Sequence, residues 1–250
     1  MKNEIKIGHL FSIGDCVEDV IDILKASLKF APEHEIVAVL NGPVDGVKVE
    51  VEKLLESNPL LSILDTGANL GHAGGGNAFF RQKKMDVGLV IDSDCIADES
   101  LPGALINLET LPLGEVPCGA GPVTTISREA TRKIQGWQKT IPLDAVAKLD
   151  GLGKWLSLND GLLDEYMFIG YDDLDYEVAL TVSGSKLGNF GGFHYLWGAN
   201  QRPKQSHEHR EFVAKHYHRS SQYAKAKWQL LQPYATQGQD AVSFFIKRFG

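Results

Sequence analysis

Cysteine is scarce in this chain. Three cysteines, Cys16, Cys95 and Cys118, share no metal-ligand spacing and cannot all pair, which argues against a disulfide scaffold and for a reducing, cytoplasmic setting. An excess of positive charge is also missing. The formal net charge is -7, which excludes the cationic face that a non-specific grip on nucleic acid requires. No run approaches the roughly 18 apolar residues of a membrane span, and the charged and apolar residues alternating at the N-terminus lack a signal-peptide core. Internal repeats, low-complexity tracts and a clear inter-domain linker are likewise absent.

The 250 residues are 43% hydrophobic and 23% charged, enough to bury one large α/β core. Ile5 to Phe11 reads as a strand, followed by Asp15 as an N-cap with Glu18 completing a capping box. Val17, Val20, Ile21, Leu24 and Leu28 then recur at helical spacing. Strands are expected at Glu35 to Leu40, Leu60 to Leu64 and Val87 to Ile91, with a helix over Val47 to Glu56. Gly71 to Gly76 reads as a Gly-rich loop before a further helix. Such alternation implies a mostly parallel, Rossmann-like sheet with ligands at the carboxyl ends of its strands. The later chain is less regular. Pro112, Pro117 and Pro122 punctuate an edge region, Ser127 to Gln135 reads as a capped helix, and Leu143 to Asp160 has no clear period. The tail from His207 to Leu231 is polar and helical in pattern, and the chain continues to Phe244, Phe245 and Phe249.

Four places carry chemistry. A buried strand ends at Val90-Ile91-Asp92-Ser93-Asp94, setting two hard oxygen ligands where a divalent cation and a diphosphate could meet; the alternative is a plain strand exit with two solvated aspartates. Tyr171-Asp172-Asp173-Leu174-Asp175 crowds three carboxylates, one of which could serve as a base; an acidic helix start is the alternative. Asn69 to Asn77 holds four glycines that permit close backbone approach to a ligand, without the spacing of a dinucleotide fingerprint or a P-loop. His194 is a lone histidine, a type more often structural than ligating.

In order and spacing these segments resemble family-two inverting glycosyltransferases of the GT-A fold, especially the rhamnosyltransferase-like branch, over roughly residues 5 to 230. Asn69 to Asn77 is similar to that family's Asn-x-Gly-aromatic-Ala-Gly-Gly-x-Asn loop, and Asp92-Ser93-Asp94 to its Asp-x-Asp motif. Ser127-Arg128-Glu129-Ala130 resembles its Arg-Glu-Ala helix, and Gly161 to Leu180 its acidic segment, with Leu163 in place of Phe and Asp172 in place of Glu. His194 stands where the family places a metal-ligating His, and Tyr223 to Trp228 is similar to a later Tyr…Lys-Trp element.

The resemblance implies a single GT-A domain, with a nucleotide-sugar half over about 1–125, an acceptor half over about 126–230 and a helical tail over 207–250. It implies a metal-dependent, inverting, non-processive transferase moving a sugar from a nucleoside-diphosphate sugar to a carbohydrate or other hydroxyl-bearing acceptor. Asp94 and His194 would hold Mn²⁺ or Mg²⁺, and Asp173 would be the base. Asn41, Asn69, Gly71, Gly75, Asn77 and Asp92 would face the donor, and Asp164, Glu165 and Asp172 the acceptor. Two departures stand out: Leu40 replaces an Asp that often contacts the base, and Ala179 replaces an Arg. Two rivals are a haloacid-dehalogenase-type phosphotransferase using Asp92 and Asp94, and a non-catalytic sugar-nucleotide-binding protein of the same fold.

Overall fold

The computed structural model describes residues 2–12, 15–42, 45–121, 123–158, 160–196 and 207–248; side chains 45 and 207–210 are outside that description. Pro122 and Phe249, named above, lie outside the described residues. The first half alternates as expected: β1 (Ile5–Ser12), α1 (Val17–Phe30), β2 (Glu35–Asn41), α2 (Asp45–Leu55), β3 (Leu61–Asp65), α3 (Gly71–Gln82) and β4 (Val87–Asp92). A short β5 (Cys95–Ala97), α4 (Leu101–Thr110), β6 (Val123–Ser127) and α5 (Arg128–Gln138) follow. Beyond them come α6 (Leu143–Val146), α7 (Leu152–Leu158), α8 (Asp172–Val182), β7 (Phe193–Tyr195), α9 (His207–Leu231) and α10 (Gln239–Arg248).

The main sheet has the order β3-β2-β1-β4-β6, parallel throughout except for β6 against β4. The chain fills one side from β1 outward to β3, then crosses back to lay β4 on the other side of β1. That reversal opens a crevice past the carboxyl ends of β1 and β4, where no connection covers the sheet. β5 and β7 pair antiparallel as a small second sheet, with Ile96 opposite His194 and Cys95 opposite Tyr195.

Three expectations need correction. Asp15 does not cap α1; Cys16 is the N-cap and makes no side-chain cap bond. Asp15 is engaged instead by the Ser12 amide (2.6 Å) and the Ser93 hydroxyl (2.9 Å), which tie the β1 exit to the β4 exit. Gly71 to Gly76 is no loop but the first half of α3, with Gly74, Gly75 and Gly76 buried. Glycine weakens a helix by about 1 kcal/mol relative to alanine, yet here it lets the helix lie on the sheet. A Cβ on Gly75 would meet the Leu10 Cδ1 at 2.4 Å, so a larger residue there would have to displace the Leu10 side chain. Leu143 to Asp160, without a period in the sequence, contains the short helices α6 and α7. Ser127 does cap α5 as expected, accepting from the Ala130 amide at 3.2 Å.

Candidate active site

β4 delivers Asp92 to the crevice, and Ser93 and Asp94 follow it; all three are half-buried. The second acidic segment arrives at the start of α8. Tyr171, just before it, has φ +67, the one described non-glycine residue in the left-handed region. That conformation costs of order 1 kcal/mol and turns the chain so that Asp172 and Asp173 open α8 side by side. Asp172 is buried and Asp173 half-buried. Burial, and then repulsion from Asp172, raise the Asp173 carboxyl above the ordinary aspartate range, while the Leu174 amide and His72 oppose the rise.

His72, in the first turn of α3, joins the two segments. Its Nδ1 lies 2.6 Å from Asp172 Oδ2 and its Nε2 lies 2.9 Å from Asp92 Oδ1. Burial alone would depress this imidazole, but Asp172 and Asp92 outweigh it and hold the ring well above its ordinary 6.5. The residue sits at the aromatic position of the Gly-rich motif and is not among the site residues expected above. A histidine inside that motif, upstream of two carboxylate pairs, was the available signal. Tyr195 and Tyr217 form the mouth, 54% and 45% exposed. Burial and then nearby negative groups raise both phenols: Cys95, Asp92 and Asp94 for Tyr195, and Asp173 and Asp172 for Tyr217.

Several expected site residues are engaged within the protein. Asn41 is buried, donating to the Gly71 carbonyl (2.9 Å) and accepting from the Leu70 amide (2.9 Å), so it shapes the entry to α3. Asn69 accepts from the Gly71 amide at 2.9 Å and belongs to the same turn. Gly71 (φ +74) admits Phe168, whose carbonyl would stand 2.2 Å from a Cβ there, and Gly75 packs on Leu10. Asn77 is buried, donating to the Leu163 carbonyl and accepting from the Leu163 amide. Asp164, expected at the acceptor, is 1% exposed and accepts from Tyr223 (2.8 Å) and Lys227 (2.9 Å). Glu165 is paired with Arg81 and Asn77. Leu40 is buried in the sheet and Ala179 within α8, so neither presents a side chain to the crevice.

His194 also departs from expectation. Its Nδ1 faces Asp98 at 3.3 Å and its side chain is 59% exposed. Successive strand residues point to opposite faces, and in β7 Tyr195, not His194, borders the acidic cluster. Among the described residues no group of three or more His, Cys, Asp or Glu is arranged to hold a metal ion. A different mode remains compatible with the donor set. Mg²⁺-type cations are commonly held by one or two carboxylates, with substrate phosphates completing the shell. Asp92, Asp94, Asp172 and Asp173 outnumber the single His72, so the acidic cluster offers hard-oxygen donors of the kind such a cation takes.

The model of glycosyl transferase family 2 matches residues 11–132, from the end of β1 into α5. Residues 11–132 belong to glycosyl transferase family 2. The dehalogenase-type alternative finds no support in that match. Among curated proteins, none matches the chain. Solved structures show the fold of the chain as GT-A. A mannosyltransferase, PcManGT from Pyrobaculum calidifontis, in complex with GDP-Man and Mn²⁺, aligns at 12% identity and TM-score 0.58, over 100% of this chain and 73% of that one. S. aureus TarS 1-349 in complex with UDP-GlcNAc aligns at 14% identity and TM-score 0.56, covering 98% and 71%. GalNAc-T7 with UDP, GalNAc and Mn²⁺ aligns at 12% identity and TM-score 0.58, covering 99% of this chain and 56% of that chain. No described helix is long and apolar enough to cross a membrane.

Proposed function

We propose that this chain transfers a sugar from a nucleoside-diphosphate sugar to an acceptor hydroxyl, with inversion and without processive elongation, and that Asp173 is the base. The observation that carries the proposal is the link through His72 between Asp92, at the strand end where the family keeps its Asp-x-Asp motif, and Asp172, beside Asp173. A base must take a proton from a hydroxyl near neutral pH, and a raised carboxyl affinity for protons suits that task. Tyr195 and Tyr217 offer apolar ring faces and polar tips to a saccharide entering the mouth. Mn²⁺ or Mg²⁺, supported by the Mn²⁺ complexes of two structural neighbours, would sit at Asp94, where it would neutralise charge on the departing diphosphate. The protein's own residues do the rest: Asp173 accepts the acceptor proton, His72 orients Asp172 and Asp92, and Ser93 ties the β4 exit to Asp15. The thiols of Cys16, Cys95 and Cys118 agree with a cytoplasmic setting.

The experiment is a transfer assay with UDP-, GDP- and dTDP-sugars against a panel of saccharide acceptors. Anomeric configuration of the product is read by proton NMR. A product of inverted configuration is expected, and a retained configuration, or donor hydrolysis that no acceptor diverts, would overturn the reading.

A further inference from the structure

We propose that His72 is a positioning residue, a clamp that fixes the donor-side carboxylates at the end of β4 against the Asp173 base at the start of α8. The inference rests on the reading of Asp173 as that base.

The geometry is two-sided. A carboxylate has no proton to give, so a ring bonded to Asp172 through Nδ1 and to Asp92 through Nε2 must donate from both nitrogens. A ring protonated on both nitrogens is the imidazolium. The same residue is anchored a third time, because its backbone amide donates to the Phe168 carbonyl at 3.0 Å. Phe168 starts the turn that runs through left-handed Tyr171 into Asp172, so one residue holds both the start and the end of that turn. Gly71 explains how the turn comes so close: a Cβ there would collide with the Phe168 carbonyl. α3 itself is held on the sheet, since Gly75 packs against Leu10 and Asn41 donates to the carbonyl of its first residue.

The clamp therefore spans the two halves of the reaction. Asp92 lies two residues from Asp94, and Asp172 is adjacent to Asp173. Asp172 is 2% exposed and needs a donor that burial cannot remove; His72, a quarter exposed, supplies it. Removing the ring would leave Asp172 uncompensated beside Asp173, within a cluster that also faces Asp92, Tyr195 and Tyr217. Misplacement of a reacting group by about 1 Å can cost on the order of 10²-fold in rate. A neutral aromatic at position 72 would fill the space without holding either carboxylate.

Two measurements test the clamp. The first is ¹⁵N NMR of the wild-type histidine rings without substrate, with His72 assigned by its loss in His72→Phe. Protonation of both His72 nitrogens at about pH 8 is expected; a neutral ring there overturns the proposal whatever the enzyme does. The second is the pH profile of transfer by folded His72→Phe and His72→Gln. The expected results are kcat lowered about 10²-fold and an acidic limb moved to higher pH, as Asp173 loses its opposing positive charge. Normal kcat with an unmoved limb overturns it. A wild type inactive with every donor defeats the proposed function instead, and the ring measurement still decides the clamp.

Discussion

Lys227, in the last two turns of α9, places its ammonium 2.9 Å from the Asp164 carboxylate, 63 residues earlier in the chain, with neither side chain more than 1% exposed. The same ammonium lies 2.7 Å from Asp175 and 3.4 Å above the Trp155 ring, while Trp228 donates to Asp175 at 2.6 Å and Tyr223 to Asp164 at 2.8 Å. This buried knot locks α9 against α8 and the Gly161 segment, behind the helix start that carries Asp173.

Cutting the knot should destabilise the fold. Lys227→Met leaves two buried carboxylates without their cation, a change of roughly 3–5 kcal/mol for a buried pair broken on one side. A drop in Tm of roughly 6–20 °C is expected by calorimetry. Asp175→Asn also removes charge from this knot, so its effect should appear in stability before it appears in catalysis. A Lys227→Met protein as stable as the wild type would show that the network contributes nothing net.

The knot also shows what could be read in advance. β1 to β4 were legible because four apolar runs separated by helical patterns leave few alternatives, and Asp92 to Asp94 was legible because it ends such a run. The acidic segment stood out by its crowding. Its division of labour did not: Asp175 and Asp164 look like Asp173 in sequence, and only partners 52 and 63 residues away mark them as structural. Asn77 and Asn41 were misread for the same reason, their bonding partners being backbone groups brought near by the fold. The glycines of α3 read as a loop because intrinsic propensity opposes a helix there; packing on Leu10 and Val90 overrides it. The antiparallel β6 has no local signature, since direction depends on the connection and not on the five residues themselves.

Acid should weaken the fold through His9. His9 is fully buried, bonded to Ser27 at 2.7 Å, and burial lowers its pKa to about 3. The unfolded chain binds this proton below about pH 6.5, the folded chain only below about 3. The contribution is therefore fully present above 6.5 and is lost as pH falls toward 3. At pH 5 the loss from this group is about 2 kcal/mol. Denaturant unfolding of wild type and His9→Gln at pH 7 and pH 5 checks it. The pH-dependent loss should shrink in the variant, and equal losses in both would assign it elsewhere.

Asp173→Asn keeps size and shape but removes the proton acceptor, so transfer should fall by roughly 10²–10⁴-fold. Nucleoside-diphosphate binding should change little. Asp172→Asn is a separate case, because Asp172 is buried against His72 and the substitution weakens the clamp. Near-normal turnover in Asp173→Asn together with an inactive Asp172→Asn would move the base by one residue.

The last prediction separates Asp94 from His194. The family resemblance makes both metal ligands, but the structure turns His194 toward Asp98 and leaves Asp94 in the acidic crevice. If the cation arrives with the diphosphate and rests on Asp94, UDP or GDP should bind far better with Mn²⁺ than with chelator, by isothermal titration calorimetry. Asp94→Asn should then lose most of that difference, because a charged hard-oxygen ligand becomes a neutral one. His194→Ala should retain it, since an exposed ring paired with Asp98 gives up nothing that the cation uses. Loss of the Mn²⁺ effect in His194→Ala would mean that β7 rearranges when donor binds and brings the histidine round. Equal binding with Mn²⁺ and with chelator in the wild type would remove the cation from Asp94 altogether. The charge of the diphosphate would then have to be met by groups other than these carboxylates.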